Sequence, residues 1–285
     1  MQLKWEIDRR AFFASVGGAA AISLLDSEAK ADALEDYLSN ALDEAVETNE
    51  AANEADDAAP VPKKKFPTAA EIEAQIPTRT FRRGVGALFA QAANVKALEP
   101  MPAKPTLLDY FRLRFAPANH VLQSATRAMK TGMPEEIVFA CLLHDTVQAL
   151  IKTDHGWWGA QLYEPYVSEK VAFAIRYHQT LRYYSDVKAG YEYPDLYRNI
   201  FGEDYKPPEY IENTYKMLLK HKWYMLPRLV TVNDLYAFDP NQKVTIDPFV
   251  DLIGRQFKQP KDGLGFDNSP VAHMWRTISR PDQPL

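Results

Sequence analysis

Apolar residues recur at helical spacing along most of the chain, and alternating segments typical of strands are rare. Residues 119–130 form one such amphipathic pattern, and Gly132 is expected to end the helix. A second helix is predicted over 134–152; it is largely apolar and therefore expected at the centre of the fold. Two further helices are predicted over 168–185 and 228–238. The pattern predicts an all-α bundle.

Proline marks the predicted beginnings of several helices, where its fixed backbone angle and missing N–H are tolerated. Pro134, Pro208 and Pro227 have this role. We expect the C-terminal segment 259–285 to be irregular and to pack along the surface, with Trp275 as its anchor.

Six residues of metal-ligand type fall on these predicted helices or just beside them. Imidazole and carboxylate groups suit iron, manganese and zinc, and two adjacent metal ions need a carboxylate that bridges them. Two neighbouring residues of the series form a His–Asp pair that could ligate both ions. Ligands that come from several helices and face one core make a bundle metal site. The six are His120, His144, Asp145, His155, His178 and Asp234.

The residues around these ligands resemble those of a known family, the HD-domain mixed-valent diiron oxygenases. That group includes the bacterial phosphonate-cleaving oxygenase and, more distantly, myo-inositol oxygenase. The resemblance covers roughly 105–240 and is carried by four segments besides the ligands. They are HVLQSATRA at 120–128, LLHD at 142–145, DH and WGAQL within 154–162, and HQTLRYY at 178–184.

The resemblance implies an HD-type helical bundle that holds an Fe(II)/Fe(III) pair bridged by Asp145. By position, His120, His144, Asp145 and Asp234 match the basic HD ligands, and the other two histidines match the ligands of the second iron. The partners implied are O2 and a small organic substrate. The substrate would be hydroxylated or cleaved at a C–H bond next to a heteroatom-bearing carbon. Manganese or another divalent metal is the alternative cofactor.

The same resemblance suggests residues that act on the substrate. Tyr110 stands where the family has a gating tyrosine, and Arg182 stands where a lysine contacts the anionic group of the substrate. Because Arg182 follows His178 by four residues, both would lie on one helix face. Gln123 and Gln148 are further candidates close to the metal ions.

The chain also departs from the family pattern. Gly156 replaces a glutamate that follows the third histidine in many relatives, and Leu113 replaces an acidic partner of the gating tyrosine. Gln148 stands where many HD phosphohydrolases have lysine. A tyrosine-rich segment, 186–210, replaces the glycine-rich substrate loop. These departures concern the substrate more than the metal ligands.

The N-terminal region predicts export. Arg9–Arg10 followed by a short apolar run resembles a twin-arginine signal, which we assign to residues 1–31. The apolar run is too short to span a membrane. Residues 32–66 are acidic and alanine-rich, as in a linker, and 67–285 are predicted to form the metal-dependent domain. The export machinery is then a partner and the periplasm the destination; without a working signal the protein would be cytoplasmic.

Composition narrows the function classes. The net charge of −5 and the lack of a recognisable motif argue against a nucleic-acid partner. Three classes stay open: a dinuclear iron oxygenase, an HD-family phosphohydrolase of phosphate esters or nucleotides, and a non-catalytic metal- or ligand-binding protein. The four histidines favour the oxygenase over a mononuclear hydrolase, which has no need of His155 and His178.

Overall fold

A computed structural model describes Leu42 and residues 98–148, 150–151, 154–202 and 205–279, with the side chains of 196, 199 and 200 excepted. The predicted export signal, most of the linker and residues 67–97 of the predicted domain lie outside these ranges. The helices are α1 (Leu107–Leu113), α2 (Asn119–Lys130), α3 (Glu135–Leu143), α4 (His155–Tyr163), α5 (Glu169–Leu181), α6 (Asp195–Phe201), α7 (Glu209–Leu218), α8 (Met225–Leu235), α9 (Val250–Gln256) and α10 (Ala272–Ser279).

The all-α prediction is confirmed. Within the described ranges the only pairing of extended backbone is an isolated bridge between Asp186 and Tyr191. Helices α3 and α8 pack against each other and against both α2 and α5, and α4 packs along α5. The central α3 is buried along nearly its whole length, as its apolar sequence predicted. None of the helices in the described part is both long and apolar enough to cross a membrane.

The predicted limits of α2 are confirmed, but the prediction of a helix to residue 152 is wrong. The α-helix ends at Leu143, and residues 144–148 form turns. Thr146 explains the change, because its hydroxyl donates to Leu143 O at 2.9 Å and its N–H bonds the same carbonyl at 3.2 Å. A threonine hydroxyl that competes for backbone acceptors weakens helix continuation.

Other limits also differ from those predicted. Helix α5 spans Glu169–Leu181 rather than 168–185, with Ser168 as its N-cap. Helix α8 begins before Pro227 and ends at Leu235, rather than at 238. The prediction of an irregular C-terminal segment is wrong for α10, which buries Ala272, Trp275 and Ser279 on one face.

The role of Trp275 as an anchor is confirmed. Its side chain is fully buried and makes edge-to-face contacts with Tyr110, Tyr163 and Tyr166, at centroid distances of 5.3, 5.7 and 6.4 Å. Such edge-to-face pairs are a favoured aromatic geometry. Phe115 stacks on the other side of Tyr110 at 5.9 Å. We call these five residues the aromatic core; it joins α1, α4 and α10 beneath the end of α3.

Candidate metal centre

The six ligand-type residues meet where the helices of the bundle converge. His120 lies in the first turn of α2, His144 directly follows α3, and His155 begins α4. His178 lies in the last turn of α5, and Asp234 in the last turn of α8. All six, Asp145 among them, are buried.

Left-handed backbone precedes two of these histidines. Ala118, before Asn119 and His120, has φ of 58°, and Asp154, before His155, has φ of 55°. Residues with a Cβ rarely adopt this conformation, which costs about 1–2 kcal/mol. In both places the chain turns sharply into the helix, so that the histidine of the first turn faces the cluster.

The ligand atoms form two groups that share Asp145. One group contains His120, His144, Asp145 and Asp234, and the other contains Asp145, His155 and His178. Within each group the candidate ligand atoms all lie within 4.8 Å of one another.

In the first group, the imidazole Nε2 atoms face carboxylate oxygens. His120 Nε2 lies 3.3 Å from Asp145 Oδ2 and 3.0 Å from Asp234 Oδ1. His144 Nε2 lies 3.4 Å from the same Asp145 oxygen and 3.7 Å from the same Asp234 oxygen. Ligands about 2.1 Å from one ion are separated from each other by about 3.0–3.4 Å in octahedral or tetrahedral geometry. The spacing fits one ion.

The second group uses the other oxygen of the shared carboxylate. Asp145 Oδ1 lies 3.1 Å from His155 Nε2 and 3.5 Å from His178 Nε2. The two Nε2 atoms are 3.3 Å apart. Asp145 therefore presents one oxygen to each group, as a carboxylate that bridges two ions would.

Backbone carbonyls fix the orientation of three of the imidazoles. The Nδ1 atoms of His120, His144 and His178 lie 3.2, 2.8 and 2.6 Å from the carbonyl oxygens of Ala237, Cys141 and Ile175. A carbonyl only accepts, so each Nδ1 carries the proton and donates. In the neutral ring the Nε2 lone pair then faces the cluster, which is the tautomer that binds metal.

The carboxylates and imidazoles shift one another's pKa values. Burial lowers the pKa of His120, but hydrogen bonds to Asp145 and Asp234 outweigh burial and raise it to about 10. Burial raises the pKa of Asp145, but the neighbouring histidines outweigh it and hold that pKa well below the usual range. Burial lowers the pKa of His178. Burial raises the pKa of Asp234 as well, but hydrogen bonds from His120 and His144 outweigh burial and lower it. Both carboxylates are thus ionised, and a metal ion would take the place of the proton that they stabilise on His120.

Two buried atoms of the cluster support a metal ion more directly. Among the described residues, His144 Nε2 and Asp145 Oδ1 have no hydrogen bond of acceptable geometry, although charged neighbours lie close by. Buried polar atoms without partners are costly unless an ion or water satisfies them. A cation bound to each group would satisfy both atoms, so the residues fit a pair of metal ions.

Gly156 allows the second group to form. A Cβ at this position would lie 2.8 Å from Ile175 O and 3.0 Å from His178 Cε1. The Gly156 N–H donates to Gln179 Oε1 at 3.2 Å, which ties α4 to α5. The glutamate expected from the family pattern would not fit here, because α4 lies directly against the His178 ring.

Two polar residues of α8, which sequence analysis overlooked, hold α5 in place. The Thr231 hydroxyl donates to His178 O at 2.8 Å. Arg228 is completely buried and donates to Leu181 O at 3.0 Å and Tyr184 O at 2.9 Å. Both precede Asp234 at intervals of three residues, so polar residues recurring on one face of an apolar helix were the available signal.

Tyr110 does not join the cluster in the structure. Its hydroxyl donates to Thr146 O at 3.1 Å, and its ring lies between Phe115 and Trp275 in the aromatic core. Burial raises its pKa well above the usual range, so the hydroxyl stays protonated. A gating role would require the ring to leave both aromatic neighbours, and the role stays a prediction.

The remaining predicted residues lie around the cluster. Gln123 bonds the backbone of Asp239 twice, through Nε2 to O at 2.7 Å and through Oε1 to N at 2.9 Å, and so fastens the segment after α8 to α2. Gln148 is buried in the turns that follow Asp145. Arg182 is also buried, at the C-terminal end of α5, and donates to the Tyr183 hydroxyl at 3.3 Å.

Neither a comparison with models of protein families nor a search of curated proteins found a match for this chain.

Proposed function

We propose that the protein is a dinuclear iron oxygenase. It uses O2 to hydroxylate or cleave a small organic substrate at a C–H bond next to a heteroatom-bearing carbon. The observation that carries the proposal is the position of Asp145, whose two oxygens face two different pairs of histidines. Two adjacent ions bridged in this way are a common basis of metal-assisted catalysis.

The donor set restricts which metal ions the site could hold. Four imidazoles and two carboxylates suit iron, manganese and zinc more than magnesium or calcium, which prefer oxygen ligands. When bound, an iron pair would supply the redox chemistry that activates O2. The resemblance of the segments around the ligands to diiron oxygenases supports this choice over a hydrolytic metal pair.

The residues of the chain have distinct parts in this proposal. His120, His144 and Asp234 would hold one ion, His155 and His178 the other, and Asp145 both. Burial of all six keeps bulk water away from the ions and strengthens the electrostatic interactions among them. Arg182, four residues beyond His178, would attract an anionic group of the substrate.

The test is metal analysis, with EPR and Mössbauer spectroscopy, of protein purified under low oxygen. We expect two irons per chain and a coupled mixed-valent signal. His178→Ala should reduce the iron content to about one per chain while the helices stay folded, since the first group of ligands is intact. His273→Ala, an exposed histidine of α10, is the matched control and should keep both irons.

Two irons in His178→Ala would overturn the ligand assignment. A wild-type protein with a metal pair that shows no iron redox activity would contradict the oxygenase. It would favour the HD phosphohydrolase, because a carboxylate-bridged pair also activates water for attack on a phosphate ester. Phosphate esters would then be the substrates to screen.

A further inference from the structure

A cavity lies beyond the C-terminal end of α5, in the tyrosine-rich part of the chain. Its volume is about 270 Å³, and Ser185 and Pro207 form part of its wall. The first lining residue, Tyr183, lies two residues beyond the end of α5 and five residues after His178. Apart from Ser185 and Pro207, the lining residues are all tyrosines: Tyr183, Tyr184, Tyr193, Tyr205 and Tyr215.

The tyrosines come from separate elements and support one another. Tyr184, after α5, stacks on Tyr215 of α7 with ring centroids 3.7 Å apart and planes 3° from parallel. Tyr183 lies 6.1 Å from Tyr205 at a tilt of 48°. A wall of fixed aromatic rings favours a flat aromatic ligand, which can stack or meet the rings edge-on.

Two arginines beside the cavity disfavour a cationic ligand. The Arg182 guanidinium lies 5.2 Å from the centroid of the Tyr183 ring, and that of Arg198 lies 5.8 Å from the Tyr193 ring. A ring that already interacts with a guanidinium has less capacity to attract a second cation. Five aromatic rings could otherwise form a cage for a quaternary ammonium group.

The hydroxyl groups of the wall can donate hydrogen bonds to an anion. Among the described residues, the buried Tyr184 hydroxyl has no hydrogen-bond partner. Burial raises the pKa of Tyr184 and of Tyr193 to about 12, so both stay protonated at neutral pH. A buried donor in the wall of a cavity and a guanidinium beside it are complementary to a carboxylate.

We propose that this cavity binds an aromatic carboxylic acid, with its ring against the tyrosines, and thereby selects the substrate of the neighbouring metal centre. The selection of a substrate rests on the proposed oxygenase function, whereas the binding of the ligand does not. Arg182 donates to the hydroxyl of Tyr183 in the cavity wall and follows His178 by four residues, so this residue links the cavity to the metal centre.

The experiment is a saturation-transfer NMR titration of the full chain with phenylacetate, cyclohexylacetate and choline. Phenylacetate should bind, and cyclohexylacetate should bind roughly two- to tenfold more weakly, because it lacks the aromatic contribution. Choline should not compete. Equal binding of the two acids, preferential binding of choline, or no binding of phenylacetate would overturn the proposal.

Variants locate the ligand. Tyr215→Leu keeps an apolar side chain but removes the ring, and should weaken phenylacetate binding by roughly two- to tenfold. Tyr210→Leu, on the same helix but 51% exposed and outside the lining, should leave binding unchanged. An unchanged affinity in Tyr215→Leu would place the ligand elsewhere and overturn the proposal.

A third variant separates this proposal from the oxygenase proposal. Asp145→Asn lacks the shared carboxylate and should not hold an ion pair, yet it should still bind phenylacetate. Loss of binding in Asp145→Asn would put the ligand on the metal ions and overturn the cavity as its site. If the wild type holds a redox-active iron pair and Asp145→Asn still binds phenylacetate, an absence of phenylacetate-dependent O2 uptake would contradict the part of the cavity in substrate selection.

Discussion

The metal centre and the aromatic core are adjacent, and the peptide unit between Asp145 and Thr146 connects them. Asp145 belongs to the metal centre, and the next residue, Thr146, bonds Tyr110 and Tyr163 of the aromatic core. The aromatic core packs against itself through Trp275. The metal centre contains buried atoms, His144 Nε2 and Asp145 Oδ1, that lack hydrogen bonds among the described residues.

The two regions differ in whether their own side chains are enough to stabilise them. Stacked and edge-to-face rings gain their stability from one another and from the water they release. Ionised carboxylates and oriented imidazoles that share a buried site need a cation between them to offset desolvation. We therefore expect the aromatic core to stabilise the fold under all conditions, and the metal centre to do so only when it is loaded.

The largest expected effect tests the aromatic core. Trp275→Ala should reduce the free energy of unfolding by about 3–5 kcal/mol, because it leaves a cavity among three tyrosines. Urea denaturation measures the loss, which should be the same with and without a chelator. Trp158→Ala, 37% exposed on α4, is the control and should change stability by less than about 0.5 kcal/mol.

The second effect tests the metal centre by removal of its ions. A chelator should reduce the free energy of unfolding of the loaded protein by about 3–4 kcal/mol, the stabilisation from a ligand at a hundred to a thousand times its Kd. Asp145→Asn should show no such dependence on chelator in the same urea experiment. A chelator-insensitive wild type would contradict the view that the centre needs cations.

The third effect is smaller and confined to one side of the metal centre. Gly156→Ala would force a methyl group against Ile175 O and the His178 ring, at an expected cost of about 1–3 kcal/mol. Metal analysis should show that about one ion is lost, since His178 is displaced. Gly254→Ala is the matched control, because its Cβ would meet no atom within 4 Å. Since alanine favours the helix more than glycine does, this substitution in α9 should increase the free energy of unfolding by about 0.5–1 kcal/mol.

The smallest effect concerns the peptide unit that joins the two regions. Thr146→Val removes the hydroxyl that lies 2.6 Å from Tyr163 OH, and should cost about 1–2 kcal/mol in urea denaturation. The metal content should not change, because histidines and not Thr146 surround the Asp145 carboxylate. Tyr163→Phe removes the same bond from the other side, and a double-mutant cycle isolates its energy. A loss of metal in either variant would show that the two regions depend on each other.

The predictions from the sequence were most accurate where helical periodicity and metal-ligand residues occur in the same segment. The pattern of 119–130 predicted α2 correctly, and the structure brings Asp145 together with both pairs of histidines, as the family resemblance implied. The end of α3 was missed because it depends on how the Thr146 hydroxyl competes for Leu143 O. The orientation of the imidazoles could not be predicted either. It depends on backbone carbonyl groups, which every residue type has, so the sequence does not show which of them accept from the imidazoles.

The C-terminal helix shows a different reason for failure. The segment before α10 contains Pro260, Gly263, Gly265 and Pro270, residues typical of irregular structure, and the expectation of irregular structure extended through residue 285. The helix forms because Trp275 is fully buried, and tertiary packing of this kind outweighs weak local preference. Gly156 likewise has no special sequence pattern; its role is visible only once α4 and α5 are in contact.

The close contact at Gly156 also restricts how this protein can change by mutation. Any larger residue at that position meets a backbone carbonyl, which cannot move aside as a flexible side chain would. A lineage that acquired a ligand there, such as a glutamate, would first have to separate α4 from α5 through changes at Gly159 or Ile175. The order of substitutions is therefore constrained. Changes that move α4 away from α5 must precede the larger side chain, and each intermediate protein must still bring His155 and His178 together.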